Sequence, residues 1–138
     1  MPEALRGDDT MPLIPVVQEM CHDETREFSP VRNVLDRVGD KWSLLVLGML
    51  ERGPQRFTAL QRAIGGISQR MLTLTLRNLQ RDGLVARRSF DENPPRVEYS
   101  VTPLGLTLLP AVIELVRWAF EHHKQIESNR DEYDEASV

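Results

Sequence analysis

A single cysteine, Cys21, among 138 residues excludes an internal disulfide framework and suits a reducing compartment. Histidine is nearly as scarce. Cys21-His22 and His122-His123 are dipeptides about 100 residues apart without CxxC spacing, so no metal site is expected. No unbroken apolar run approaches the roughly 20 residues of a membrane span. The opening Met-Pro-Glu-Ala-Leu-Arg-Gly-Asp-Asp lacks the basic stretch and apolar core of a secretory signal. A cytoplasmic protein with no membrane partner is expected. Nucleophile–base pairs and phosphate-cradling glycine loops are also missing, so catalytic residues and cofactors are not expected and the chain does not read as an enzyme.

What is present is an uneven charge. The net charge is −4. Residues 1–30 carry two Arg and seven Asp or Glu, whereas residues 52–96 carry nine Arg against three acids. Residues 121–138 return to net −4. A basic middle between acidic ends presents a local positive field, which matters more to a polyanion than the total. The competing reading is that scattered arginines merely solvate helix faces, and placement has to decide between them.

Length suits one domain with tails. Residues 1–28 read as an acidic arm broken by Pro2, Pro12 and Pro15, residues 29–126 as the domain, and residues 127–138 as an acidic tail expected to fray. Ser29-Pro30 opens a helix by cap-then-proline logic, with Val31, Val34, Leu35 and Val38 at helical spacing and Gly39 as its stop. Asp40 caps "KWSLLVLGML", expected to be the buried central helix. "QRF" reads as a short strand. Thr58 is expected to cap a brief helix ending near Gly65-Gly66. Ser68 caps the next, with Ile67 and Leu72 as a hydrophobic staple and Leu72, Leu76 and Leu79 as its inner seam. "LVARRSF" and "RVEYSV" then form a hairpin across "DENPP". Thr102-Pro103 starts a long final helix that Pro110 is expected to interrupt, with Val112, Leu115, Val116 and Ala119 on one side. Trp42 and Trp118 read as core or interface residues, or as walls of a pocket for a small-molecule effector of unknown identity.

A short helix, a glycine turn and a second helix with an apolar inner face make a helix-turn-helix, and the hairpin makes it winged. The fold class is therefore mainly α with a small β-hairpin. The second helix explains the charge. At about 100° per residue, Gln69, Arg70, Thr73, Arg77 and Gln80 lie opposite the leucine seam. Residues 69–81 hold three Arg and no acid. Arginine suits guanine, glutamine adenine, and the threonine methyl thymine. Ser68 and the free N–H groups beside it suit a phosphate. Leu74 falls on the outward face and reads equally as a thymine contact or as packing beneath the wing. Arg87 and Arg88 occupy adjacent strand positions, so one points outward. Arg96 follows Pro94-Pro95 and reads as a phosphate or minor-groove contact, or as an internal ion pair with Asp91, Glu92 or Glu98. Arg56 and Arg62 read as backbone contacts or as solvated surface.

"VGDKWSLLVLGML", "RFTALQRAIGGISQRMLTLTLRNLQRDGLVARR" and "NPPRVEYSVTPLGLTLLP" together resemble the HxlR-type family of bacterial winged helix-turn-helix transcription regulators, over about residues 29–123. The resemblance implies a homodimer joined through the N-terminal segment and the last long helix, bound to double-stranded DNA near promoters. It implies Ser68, Gln69, Arg70, Thr73 and Arg77 on the recognition helix and Arg96 at the wing. Family members often carry a cysteine directly before the proline that opens the first helix, and some sense oxidants there. This chain has Ser29 at that place, so redox sensing is not carried over. Leu74 replaces a commonly polar residue. Two readings from other classes stand beside the regulator. One is a winged-helix protein-interaction module without DNA binding. The other is a thiol switch at Cys21, whose neighbours Glu19, Asp23 and Glu24 disfavour the thiolate.

Overall fold

The computed structural model describes residues 29–137, with Gln18 before them. The arm expected over 1–28, Cys21 included, lies otherwise outside the described residues. Helix α1 (Ser29–Gly39) falls in the unit that ends at Gly39, and the remainder forms a second unit. Its last turn carries Arg37, a cation where the helix dipole favours one. None of its expected apolar seam is buried: Val31 and Val38 are half-exposed, and Val34 and Leu35 are exposed.

In the second unit, α2 (Lys41–Leu50) starts at Asp40, whose carboxylate accepts from the Ser43 amide at 3.3 Å and the Ser43 hydroxyl at 2.9 Å. This satisfies a polar side chain that is itself buried, since Ser43 packs inward with Val46, Leu47 and Leu50. The helix is central but not buried all round, because Leu45 is exposed. After the turn at Gly53, Gln55 exchanges backbone hydrogen bonds with Tyr99 at 2.9 and 2.8 Å. The expected "QRF" strand is thus a one-residue bridge. Chain direction is fixed there, and α3 (Phe57–Ala63) begins directly after Arg56. The expected cap Thr58 therefore lies inside the helix, and no side chain caps it.

Gly66, at φ 86°, turns the chain toward α4 (Gln69–Arg81). Ser68 caps it, its Oγ accepting from the Met71 amide at 3.0 Å. Ile67 and Leu72 are both buried in the same cluster, as a hydrophobic staple requires. Leu72, Thr75, Leu76 and Leu79 form the inner face, and the Thr75 hydroxyl donates to the Met71 carbonyl at 2.8 Å. The helix ends in a Schellman arrangement. The Gly83 amide donates to Gln80 O, the Leu84 amide to Leu79 O, and Gly83 sits at φ 77°, where L side chains are disfavoured.

Strands β1 (Val85–Phe90) and β2 (Arg96–Val101) pair antiparallel from Val85↔Val101 to Phe90↔Arg96. The peptide Asn93-Pro94 in the connecting turn is cis. Helix α5 (Pro103–Ala136) follows at once. Thr102 ties three elements together: its amide donates to Leu84 O, its hydroxyl donates to Gly83 O, and the same oxygen caps α5 by accepting from the Gly105 amide. One core cluster joins α2, α3, α4, β1 and α5 through Leu47, Leu60, Leu72, Leu76, Leu109 and Val112 among others.

Two expectations for the last helix are corrected. Pro110 lies inside α5 without ending it. Proline removes one helical donor, and Pro110 is exposed, so solvent can serve the freed carbonyl. The final residues are helical to Ala136, since each residue added to an existing helix gains a hydrogen bond without a new nucleus. Of the side expected to pack, only Val112 is buried, while Leu115 and Val116 are exposed. By length and composition α5 would suffice to cross a membrane, with an 18-residue stretch of mean hydropathy 1.4. Gly105, Leu109 and Val112 nevertheless hold its first turns in the core, and Glu114 and Arg117 interrupt the apolar stretch.

Candidate nucleic-acid interface

Helices α3 and α4 with the β1–β2 hairpin make a winged helix-turn-helix. The leucine seam turns one side of α4 inward, so the opposite side is presented outward. Gln69, Arg70 and Arg77 are exposed there, and Thr73 is half-exposed. No carboxylate forms an ion pair with Arg70 or Arg77 among the described residues. Two uncompensated guanidinium groups on an acid-free helix face suit an anionic partner.

The polar side chains of this face are partly committed to the helix. The Thr73 hydroxyl donates to Gln69 O at 2.8 Å, which leaves its methyl and an accepting oxygen free. Gln80 donates from its amide nitrogen to Leu76 O at 3.1 Å. Ser68 uses its oxygen as acceptor in the cap, which leaves its O–H free to donate to a phosphate beside the helix N-terminus.

The wing has two faces. Side chains alternate along a strand, so Arg87 and Arg88 point to opposite sides. Arg87 is paired with Tyr99, and Arg88 with Glu98. On the Arg87 side, a groove of about 450 Å³ opens between α4 and the hairpin. It is lined by Gln69, Thr73, Arg77 and Gln80 from α4 and by Arg87 and Tyr99 from the wing. The structure thus brings four of the expected site residues together: Gln69, Thr73, Arg77 and Arg87. Arg70, Arg88, Arg96 and Arg56 do not line this groove.

On the other side, Arg88 and Arg96 both stack on the Phe90 ring, with guanidinium carbons 4.6 and 4.1 Å from its centre. Of the two readings open for Arg96, the internal ion pair is present. It meets Glu92 at 3.0 Å and Glu98 at 3.3 Å. Its Nε is buried without a hydrogen-bond partner among the described residues. Arg56 is exposed just before α3 and Arg62 in its last turn, and Trp118 is exposed on α5, where it stacks on His122 at 4.9 Å.

Sequence reasoning places Gln80 on this outward face, though outside the set that the family resemblance implies, and misses Tyr99 as a groove residue. Tyr99 had a usable signal. Counting back from "DENPP" in two-residue steps places it opposite Arg87.

A family model for an HxlR-like helix-turn-helix matches residues 37–127. The HTH-type transcriptional regulator YybR of Bacillus subtilis (strain 168) is 40% identical over 105 residues, which is 76% of this chain and 84% of YybR. The solved structure of YtfH from Salmonella typhimurium, assigned as a transcriptional regulator, is 39% identical with a TM-score of 0.69, over 74% of this chain and 91% of YtfH. The redox regulator HypR in its reduced form is 41% identical with a TM-score of 0.67, over 72% of this chain and 99% of HypR.

Proposed function

Since the chain belongs to the HxlR-like helix-turn-helix family, we propose that it acts in the cytoplasm as a homodimeric transcription regulator that binds a pseudo-palindromic operator in double-stranded DNA. The observation that carries this reading is the outward face of α4, where the exposed Arg70 and Arg77 have no carboxylate partner among the described residues and are backed by a buried leucine seam. Arg70 and Arg77 pair with guanine edges, Gln69 with adenine, and Ser68 with a phosphate at the helix start. Arg87, Arg88 and Arg56 engage the flanking backbone. Arg96, bracketed by Glu92 and Glu98, holds the wing on Phe90 and comes to a phosphate only as part of that assembly.

The dimer is supported by α5. Leu104, Leu115, Trp118 and Tyr133 are exposed and fall on one side of it, turned from the side that buries Gly105, Leu109 and Val112. A second copy covers such a strip by isologous contact, and the two recognition helices then enter major grooves about 34–36 Å apart.

Selection from random-sequence duplexes tests the reading, followed by sedimentation of the complex. Enrichment of a two-fold-symmetric sequence bound by two chains is expected. If no sequence is enriched even at low salt, the protein-interaction module takes its place.

A second reading, which does not draw on the family position now held by Ser29, is a thiol switch at Cys21. Peroxide would oxidise the Cys21 thiols of two chains to one intermolecular disulfide, with two waters formed. Unchanged mobility on a non-reducing gel after peroxide treatment rejects it.

A further inference from the structure

Leu74 stands among the arginines of α4, four residues after Arg70 and three before Arg77, the spacings at which helical side chains are neighbours. It is 50% exposed. The reading that packs it beneath the wing is not realised, since the groove between α4 and the hairpin is lined without it. An apolar side chain at the centre of a cationic recognition face meets one kind of apolar group in a DNA major groove, the C5-methyl of a pyrimidine. Thr73 adds to this. Its hydroxyl hydrogen is donated to Gln69 O, so beside Leu74 it offers a methyl and an oxygen that can only accept.

We infer that Leu74, with the Thr73 methyl next to it, reads the C5-methyl of pyrimidines, so that each operator half-site carries a thymine or 5-methylcytosine under this part of α4. The inference rests on the DNA-binding reading above and names a specificity element within it. Charge complementarity selects the occupant. Arg70, Arg77 and Arg81 are all exposed on this helix, so the apolar spot is set in a surface made for a polyanion.

The test uses the full chain and an operator obtained by selection. Failure to select any sequence overturns the DNA-binding reading itself, which separates the two failures. On a selected operator, each thymine is replaced in turn by deoxyuridine, which removes the methyl and nothing else. Separately, cytosine is compared with 5-methylcytosine at the responsive positions. Wild type is expected to bind about fourfold more weakly for each contacted methyl lost, the scale for burying one such group. It should regain about as much from 5-methylcytosine over cytosine. Leu74→Ala should bind thymine and uracil operators alike at one responsive position. Thr73→Ser, which keeps the hydroxyl donor, should do so at its neighbour. The inference is overturned if wild type ignores the methyl at every position, or if Leu74→Ala discriminates as wild type does.

Discussion

Gly105 lies so close to Leu84 that a β-carbon on it would fall inside contact distance of the Leu84 carbonyl oxygen, and 2.6 Å from Val101 Cγ1. This contact sets the start of α5 against the base of the wing. The same carbonyl accepts from the Thr102 amide, so it cannot move aside without losing a hydrogen bond. Gly105→Ala should therefore destabilise the domain by about 1–3 kcal/mol, the usual cost of overpacking. The roughly 1 kcal/mol by which alanine outdoes glycine in a helix does not offset a clash with backbone. Gly48 in α2 is the control: a β-carbon there meets nothing within 4 Å, and Gly48→Ala should stabilise by about 0.5–1 kcal/mol. Urea unfolding of both variants reads the difference in sign.

Arg70→Ala and Arg77→Ala should each weaken operator binding by about 1–3 kcal/mol and relax the base choice at one position. Neither guanidinium forms an ion pair among the described residues, so stability should stay within about 0.5 kcal/mol of wild type. Fluorescence anisotropy against single-base operator variants, alongside thermal unfolding, checks both halves of the expectation.

The wing arginines should separate by salt dependence. Arg88→Ala should reduce the slope of log affinity against log salt by about one, as loss of one phosphate contact does. Arg96→Ala should change the slope less, because Glu92 and Glu98 already compensate its charge. Its loss should show instead as a lower unfolding midpoint, since it removes packing from Phe90 and leaves the carboxylates unpaired. Equal slopes for the two variants would contradict this division.

Ser68→Ala should cost about 1 kcal/mol of stability through the lost cap on the Met71 amide. It should weaken DNA binding further if the Ser68 hydroxyl meets a phosphate. Ser68→Asp restores a capping acceptor while placing a negative charge at that site. It should therefore recover stability and not affinity, as chemical denaturation and gel shift would show.

Leu115→Asp puts a charge in the apolar strip of α5 at a position that is exposed in one chain. The fold should survive, as judged by circular dichroism, while sedimentation velocity shows a monomer. A dimer of unchanged mass would place the pairing surface elsewhere.

The sequence was most legible where local chemistry acts alone. Ser68, Asp40 and Thr102-Pro103 announce their helices because a cap is a short-range hydrogen bond, and β2 begins and ends at the residues its alternation suggests. The reading failed where tertiary contacts override local preference. Thr58 looked like a cap, but the bridge from Gln55 to Tyr99 starts the helix earlier. Pro110 looked like a break, but it costs α5 one hydrogen bond at an exposed position. At the site, the leucine seam was enough to place Arg70 and Arg77 outward. The neutralisation of Arg96 depends on cross-strand distances that residue spacing only lists as alternatives.

The hairpin is tied at its root, through Thr102 and Gly83, and exposed at its far end, residues 91–95, where Glu92 pairs with Arg96. Loop grafting should therefore be tolerated at the tip. A tag or a protease site of varied length inserted there leaves the strands in step. A single residue inserted within β1 upstream of Arg87 does the opposite. With a side-chain period of two, it would turn both arginines over, so that Arg88 enters the groove and Arg87 leaves it. Length variation among natural or engineered versions of this wing should accordingly be found between Phe90 and Arg96, and not within the paired strands.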